Sequence, residues 1–157
     1  MGLAAVPFAS LALSLALIAP VPVHAQSQAA AHAFVLGLYQ AYEHDPSPDY
    51  LGAKAARVFS PDLLVLIRRD AARTPAGDVP SLEGDPICDC QDEEITKVEV
   101  AIAETGKGHA QATARLLDIG KWRVVKLDLV AVRGSWRVSD VHTDATPSLV
   151  AFLKNPK

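Results

Sequence analysis

Charge is missing from the start of this chain: no Asp, Glu, Lys or Arg precedes Gln26. Basic clusters are missing from the remainder. Fifteen Lys and Arg stand against 18 Asp and Glu, for a net charge of −3, and they are scattered, which excludes the basic face of a nucleic-acid binder. Cysteine is scarce, with two in 157 residues, so neither a multi-disulfide scaffold nor a pair of Cys-x-x-Cys zinc knuckles is available. No serine sits in a Gly-x-Ser-x-Gly setting, which leaves a Ser-His-Asp hydrolase without its nucleophile elbow.

The uncharged opening reads as an export signal. Leu11 to Ile18 is an apolar run, Pro20 and Pro22 follow, and Val23-His24-Ala25 places small residues at −3 and −1 of a cut before Gln26. The segment before the apolar run lacks Lys and Arg, so either the α-amino group alone serves there or the true start lies upstream. An uncleaved anchor is the alternative, but no basic stop-transfer cluster follows. The expectation is a signal peptide over 1–25 and a single domain over 26–157, periplasmic or secreted, meeting a membrane only during export. The remaining length suffices for one apolar core.

Beyond the cut, Ala29 to Glu43 has helical period, with Phe34, Leu38 and Tyr42 at i, i+4 and i+8 and Val35 and Tyr39 beside them. Gly37 either weakens this helix or lets another element approach. Asp45-Pro46-Ser47-Pro48 must end it. Tyr50 to Phe59 is a weaker helical run. Ser60-Pro61-Asp62 is a start signal, because Ser caps, Pro suits the first helical position and Asp favours the positive end of the dipole. Thr74 to Glu94 is predicted to be a long loop containing Pro75, Gly77, Pro80, Gly84 and Pro86, and loops of this length in compact domains usually have a function.

From Ile95 the period falls to two. Val98, Val100 and Ile102 share a face of the first strand; Ala110, Ala112 and Ala114 share a face of the second. Val125, Leu127, Leu129 and Ala131 share a face of the third, with Lys126 and Asp128 opposite. A parity slip at Leu116-Leu117 predicts a bulge. Turns are expected at Gly106-Lys107-Gly108, Gly120-Lys121 and Gly134-Ser135. Trp136 to His142 is the fourth strand, and Thr146-Pro147-Ser148 opens a short last helix. Helices, loop, four-stranded antiparallel meander and helix make an α+β fold, with the helices covering the apolar face of the sheet.

Chemistry-bearing residues concentrate in Asp85–Glu94, which holds both cysteines and five acidic residues. Cys88 and Cys90 admit a tight local disulfide, two free or externally paired thiols, a metal pair lacking further ligands, or an exchange site lacking Cys-x-x-Cys spacing. The carboxylates do not have the spacing of a calcium loop, and no metal or other cofactor is expected. Gln91 and Asp92 are read as loop anchors through side-chain hydrogen bonds. Asp140 and His142 share a strand face and, with Asp128, are the candidate acids and base. Tyr39 and Tyr42 are candidates for a pocket mouth, although tyrosines so placed are more often core residues with a wet tip.

Several of these features together resemble a bacterial secreted family, domain of unknown function 3828. They are the first helix ending in Tyr39 and Tyr42; Ser60-Pro61-Asp62-Leu63-Leu64; Asp85-Pro86 leading to Gln91-Asp92; and Gly134-Ser135-Trp136-Arg137-Val138-Ser139-Asp140-Val141. That family is similar in fold to the nuclear-transport-factor-2-like, cystatin-like cone proteins. The resemblance spans about Ala29 to Phe152 and implies an exported cone-shaped domain with no assigned activity. Three functions follow as expectations: a module binding a small molecule or a periplasmic protein; an enzyme using Asp128, Asp140 or His142 at the cone mouth; or an inhibitor acting through a protruding 85–94 loop.

Overall fold

The computed structural model describes Met1 and residues 23–44, 46–90 and 94–155. The proposed signal segment up to Pro22, and Gln91 and Asp92, lie outside the described residues. Helix α1 (Val23–Gln40) runs into a 3-10 turn (Ala41–Glu43) and is followed by α2 (Ala55–Val58) and α3 (Pro61–Arg73). After the loop come β1 (Ile95–Gly106), β2 (His109–Asp118), β3 (Lys121–Val132), β4 (Ser135–His142) and α4 (Leu149–Lys154). The strands form one open antiparallel sheet in the order β1-β2-β3-β4. No helix among the described residues is long and apolar enough to cross a membrane.

The buried stripe of α1 is Ala31, Val35, Leu38 and Tyr39, while Phe34 and Tyr42 are only half-buried. The helix is therefore rotated slightly from the Phe34-centred face its period suggested. Gly37 is exposed, and open space lies where its Cβ would be. No element among the described residues uses the gap, so Gly37→Ala should raise stability by about 0.5–1 kcal/mol in urea denaturation.

The weak run at Tyr50–Phe59 yields only the single turn of α2. α3 begins as its cap signal requires, with Ser60 Oγ accepting from the Leu63 N–H at 3.3 Å. Ser60 also donates its own N–H to the Val138 carbonyl at 2.8 Å, stitching this helix start to β4.

One face of the sheet is the core. Ala110, Ala112, Ala114 and Leu116 of β2 and Val125, Leu127 and Leu129 of β3 are buried, with Val98, Val100 and Ile102 of the edge strand half-buried against them. Ala131, expected on this face, is exposed at the end of β3. The bulge expected at Leu116-Leu117 is absent, because β2 pairs with β3 in unbroken register there. The irregularities fall instead in β1, at Thr96 opposite it and at Thr105 beside the first turn, and in β4, where Asp128 pairs with Asp140 but Leu129 pairs with Val138. Ser139 is the extra residue.

That bulge reverses which way the end of β4 faces. Trp136 and Val138 point into the core; past Ser139, Val141 does so, and Asp140 and His142 are turned to the other face. Two hairpin turns lie one residue earlier than expected, at Ile119-Gly120 and Arg133-Gly134, with positive φ at all four positions. This is the geometry of tight two-residue turns whose twist matches the strands, and in each the glycine takes the second place.

Candidate functional site

The long loop is fastened to the rest of the domain by side-chain hydrogen bonds from α1, its following turn, α3 and the sheet. The buried Asp70 of α3 accepts from the Leu82 N–H at 2.8 Å. The phenol of Tyr39 donates to the Ile87 carbonyl at 2.9 Å, and that of Tyr42 donates to Asp85 Oδ2 at 2.6 Å. From the sheet, Arg123 Nη1 donates to the Asp89 carbonyl at 2.8 Å. Arg123 also places its Nε 3.1 Å from Oδ2 of the buried Asp118, yet that oxygen has no hydrogen-bond partner among the described residues. The contact is an ionic approach off the hydrogen-bond line, while Asp118 Oδ1 accepts from the Glu94 N–H at 2.9 Å.

Within the loop, Asp85 organises a tight knot. Its Oδ1 accepts from the Ile87 N–H at 2.8 Å, and its backbone pairs with Cys90. Pro86, Ile87, Cys88 and Cys90 are buried. Cys88 and Cys90 stand with Cα atoms 5.2 Å apart and their sulfurs in bonding contact. Asp89 between them has φ +54°, a left-handed conformation that Asp tolerates better than most residues.

Tyr39, Tyr42 and Tyr50 form one aromatic group, with ring centroids 6.4 and 5.9 Å apart along the series. Burial first, and the Asp85 charge second, push all three phenols far above their ordinary value of 10.0. They therefore act as permanent hydrogen-bond donors, not as acids or bases.

A hollow of about 170 Å³ opens where this loop faces the junction of β4 and α4. Leu82, Pro86, Val141, Leu149 and Phe152 are the apolar residues of its lining, and Ser81, Glu83, Asp85, Asp89, Thr143 and Thr146 are the polar ones. Both sides come from packing already described: the knotted loop, and α4 capped by Ser148 Oγ, which accepts from the Ala151 N–H at 3.0 Å.

On the other side of β4 the three candidate acid–base residues meet. His142 Nε2 lies 2.9 Å from Asp128 Oδ2 and 3.9 Å from Asp140 Oδ2. His142 Nδ1 lies 2.6 Å from the Pro147 carbonyl. A carbonyl only accepts, so Nδ1 carries a proton, and Nε2 needs a second proton to donate to Asp128. Burial alone would lower the His142 pKa. Hydrogen bonds to Asp128 and to Pro147, with the charges of Asp128 and Asp140, outweigh it and raise the value above 6.5.

The stabilisation from this raised pKa is full below 6.5 and is lost as pH climbs through the folded-state value. In chelator-treated protein the His142 ring should titrate above the ordinary histidine range by NMR. Asp128→Asn should bring its midpoint back down.

Of the sequence candidates, the structure joins Tyr42 to Asp85 and Tyr39 to the Ile87 carbonyl, and brings Asp128 and Asp140 to His142, pairings that spacing alone does not indicate. The sequence reading missed Asp70, Arg123 and Asp118. Asp70 had a legible signal, a carboxylate i+3 from Ile67 on the buried stripe of α3. Arg123 and Asp118 had none, since their roles depend on where the loop lies.

What the fold and these groups define is an α+β domain with a pinned acidic loop beside a small hollow. No protein-family model matches the chain, and no solved structure matches it. The chain is similar to the uncharacterised protein YqhG of Escherichia coli (strain K12), at 32% identity over 136 residues. The match covers 82% of this chain and 44% of that relative, so the chain spans less than half the relative's length.

Proposed function

We propose that this chain is an exported, non-catalytic binding domain that receives a small ligand, or a side chain of a periplasmic partner, in the hollow between the loop and α4. The observation that carries this reading is the hollow itself, lined by five apolar residues, two threonines and acidic residues that include Glu83 and Asp89. Its volume suits a group the size of an amino-acid side chain more than a drug-sized molecule. The carboxylates favour a ligand with a short apolar body and a cationic end. The uncharged N-terminal run supports export, and the order of helices followed by a four-stranded meander supports placing the domain among the nuclear-transport-factor-2-like cone folds. In an exported protein the Cys88–Cys90 contact is read as a disulfide.

The two other readings have less support. His142 has both ring nitrogens against acceptors and lies on the face of β4 away from the hollow, a poor setting for a general base. The described part of the acidic loop is folded into the core and does not protrude as an inhibitory loop would.

Titration of isotopically labelled protein with short alkyl and aryl amines, guanidines and matching carboxylates tests the binding reading. Shifts confined to Leu82, Thr143, Thr146 and Phe152 on adding cations, weakened in Glu83→Gln, are expected. No localised shift with any compound would overturn it. Thiol counting on protein purified from the periplasm should find no free thiol before reduction and two after; two before reduction would remove the disulfide.

A further inference from the structure

The cluster at the end of β4 is assembled as a metal site is assembled. One ligand atom from each of Asp128, Asp140 and His142 lies within 4.8 Å of the other two, and His142 Nε2 stands 2.9 Å from Asp128 Oδ2 and 3.9 Å from Asp140 Oδ2. Each of the three side chains is oriented through its other polar atom. Gln111 Nε2 donates to Asp128 Oδ1 at 2.9 Å. The Val141 and Val150 N–H groups donate to Asp140 Oδ1 at 2.8 and 2.9 Å. The Pro147 carbonyl accepts the hydrogen bond of the His142 Nδ1–H, so that Nε2, once it gives up its proton, presents its lone pair to the two carboxylates. Imidazole ligands of metals are held in this way, by a carbonyl or carboxylate on the far nitrogen.

We propose that Asp128, Asp140 and His142 bind one zinc ion through Oδ2, Oδ2 and Nε2, any proton on Nε2 leaving to solvent as the metal binds. Tetrahedral ligands at zinc distances stand about 3.3 Å apart, between the 2.9 and 3.9 Å separations seen here. Small side-chain rotations close the difference. Two carboxylates balance the dipositive charge. Ser148 Oγ, 2.7 Å from Asp140 Oδ2, can keep its bond to a second lone pair of that oxygen.

One nitrogen and two oxygens suit zinc better than calcium, which takes six to eight oxygen ligands. The side chains retain 27% exposure at His142, 39% at Asp128 and 17% at Asp140, so an ion can reach them and a water can complete the shell. The site is separate from the hollow, and neither proposal depends on the other.

The test uses tag-free full-length chain, stripped with chelator and dialysed. Titration calorimetry with zinc chloride should give one ion per chain, and zinc should raise the melting temperature. Cobalt in its place should give the intense visible bands of a four-coordinate centre. Asp128→Asn and His142→Gln, each checked for native circular dichroism, should weaken zinc binding at least tenfold. Glu99→Gln, which alters an exposed carboxylate on β1 paired with Lys97 and Arg115, should leave it unchanged. Absence of stoichiometric binding, or equal affinity in both ligand variants and the parent, would overturn the site.

Discussion

Leu127→Glu is expected to unfold this domain. Leu127 has no exposed surface. It sits mid-strand on β3, paired across to Ala112 of β2 and Val141 of β4, and both of those are buried. A carboxylate there enters an apolar layer with no cation within it. It must lie uncompensated, or take up a proton and still lack a hydrogen-bond partner. Losing the leucine packing as well brings the cost to about 4–5 kcal/mol or more, comparable with the whole stability of a domain this size. The adjacent Lys126 is exposed on the opposite face, and Lys126→Glu should change stability far less. Urea denaturation followed by circular dichroism reads both. Tolerance at 127 with collapse at 126 would mean that the sheet presents its other face to the helices.

Asp85→Ala should be nearly as damaging, by a different route. Its carboxylate accepts from the Tyr42 phenol and from the Ile87 N–H. Removing it strands both donors in the partly buried interior of the loop knot. One charge-assisted bond and one orphaned backbone donor together amount to about 3 kcal/mol. The loss should also free the loop, so that limited proteolysis cuts between Thr74 and Gly84 faster than in the parent. Tyr42→Phe removes one bond only and should cost about 1–2 kcal/mol. The double variant should cost less than the sum of the singles, because they share that bond. Strict additivity would mean that the Tyr42–Asp85 contact contributes nothing.

Periodicity in the sequence carried much of this architecture. The switch from a 3.6 to a 2.0 repeat near Ile95 separates helices from sheet, and Ser60-Pro61-Asp62 marks the start of α3 to the residue. What it could not carry depends on pairing. The turn at Ile119-Gly120 requires two left-handed residues in succession, and isoleucine gives no hint that it will be one of them, so the glycine was assigned the first place. The Ser139 bulge has no local mark either. Without it, Asp140 and His142 would follow Trp136 and Val138 into the core. With it, they turn outward to meet Asp128.

The loop was legible as a loop, and its cysteines as neighbours. Its anchors were not, because Tyr42 and Asp85 are 43 residues apart and a phenol reaching a carboxylate leaves no trace in spacing.

Native-state hydrogen exchange at the Ile87 amide probes the pinned loop most directly, since that N–H is held by Asp85 and its own carbonyl by Tyr39. Protection approaching that of the Leu127 amide in the sheet is expected, along with its collapse in Asp85→Ala. Exchange at the rate of an open coil in the parent protein would contradict the pinned loop, and with it the wall of the proposed binding hollow.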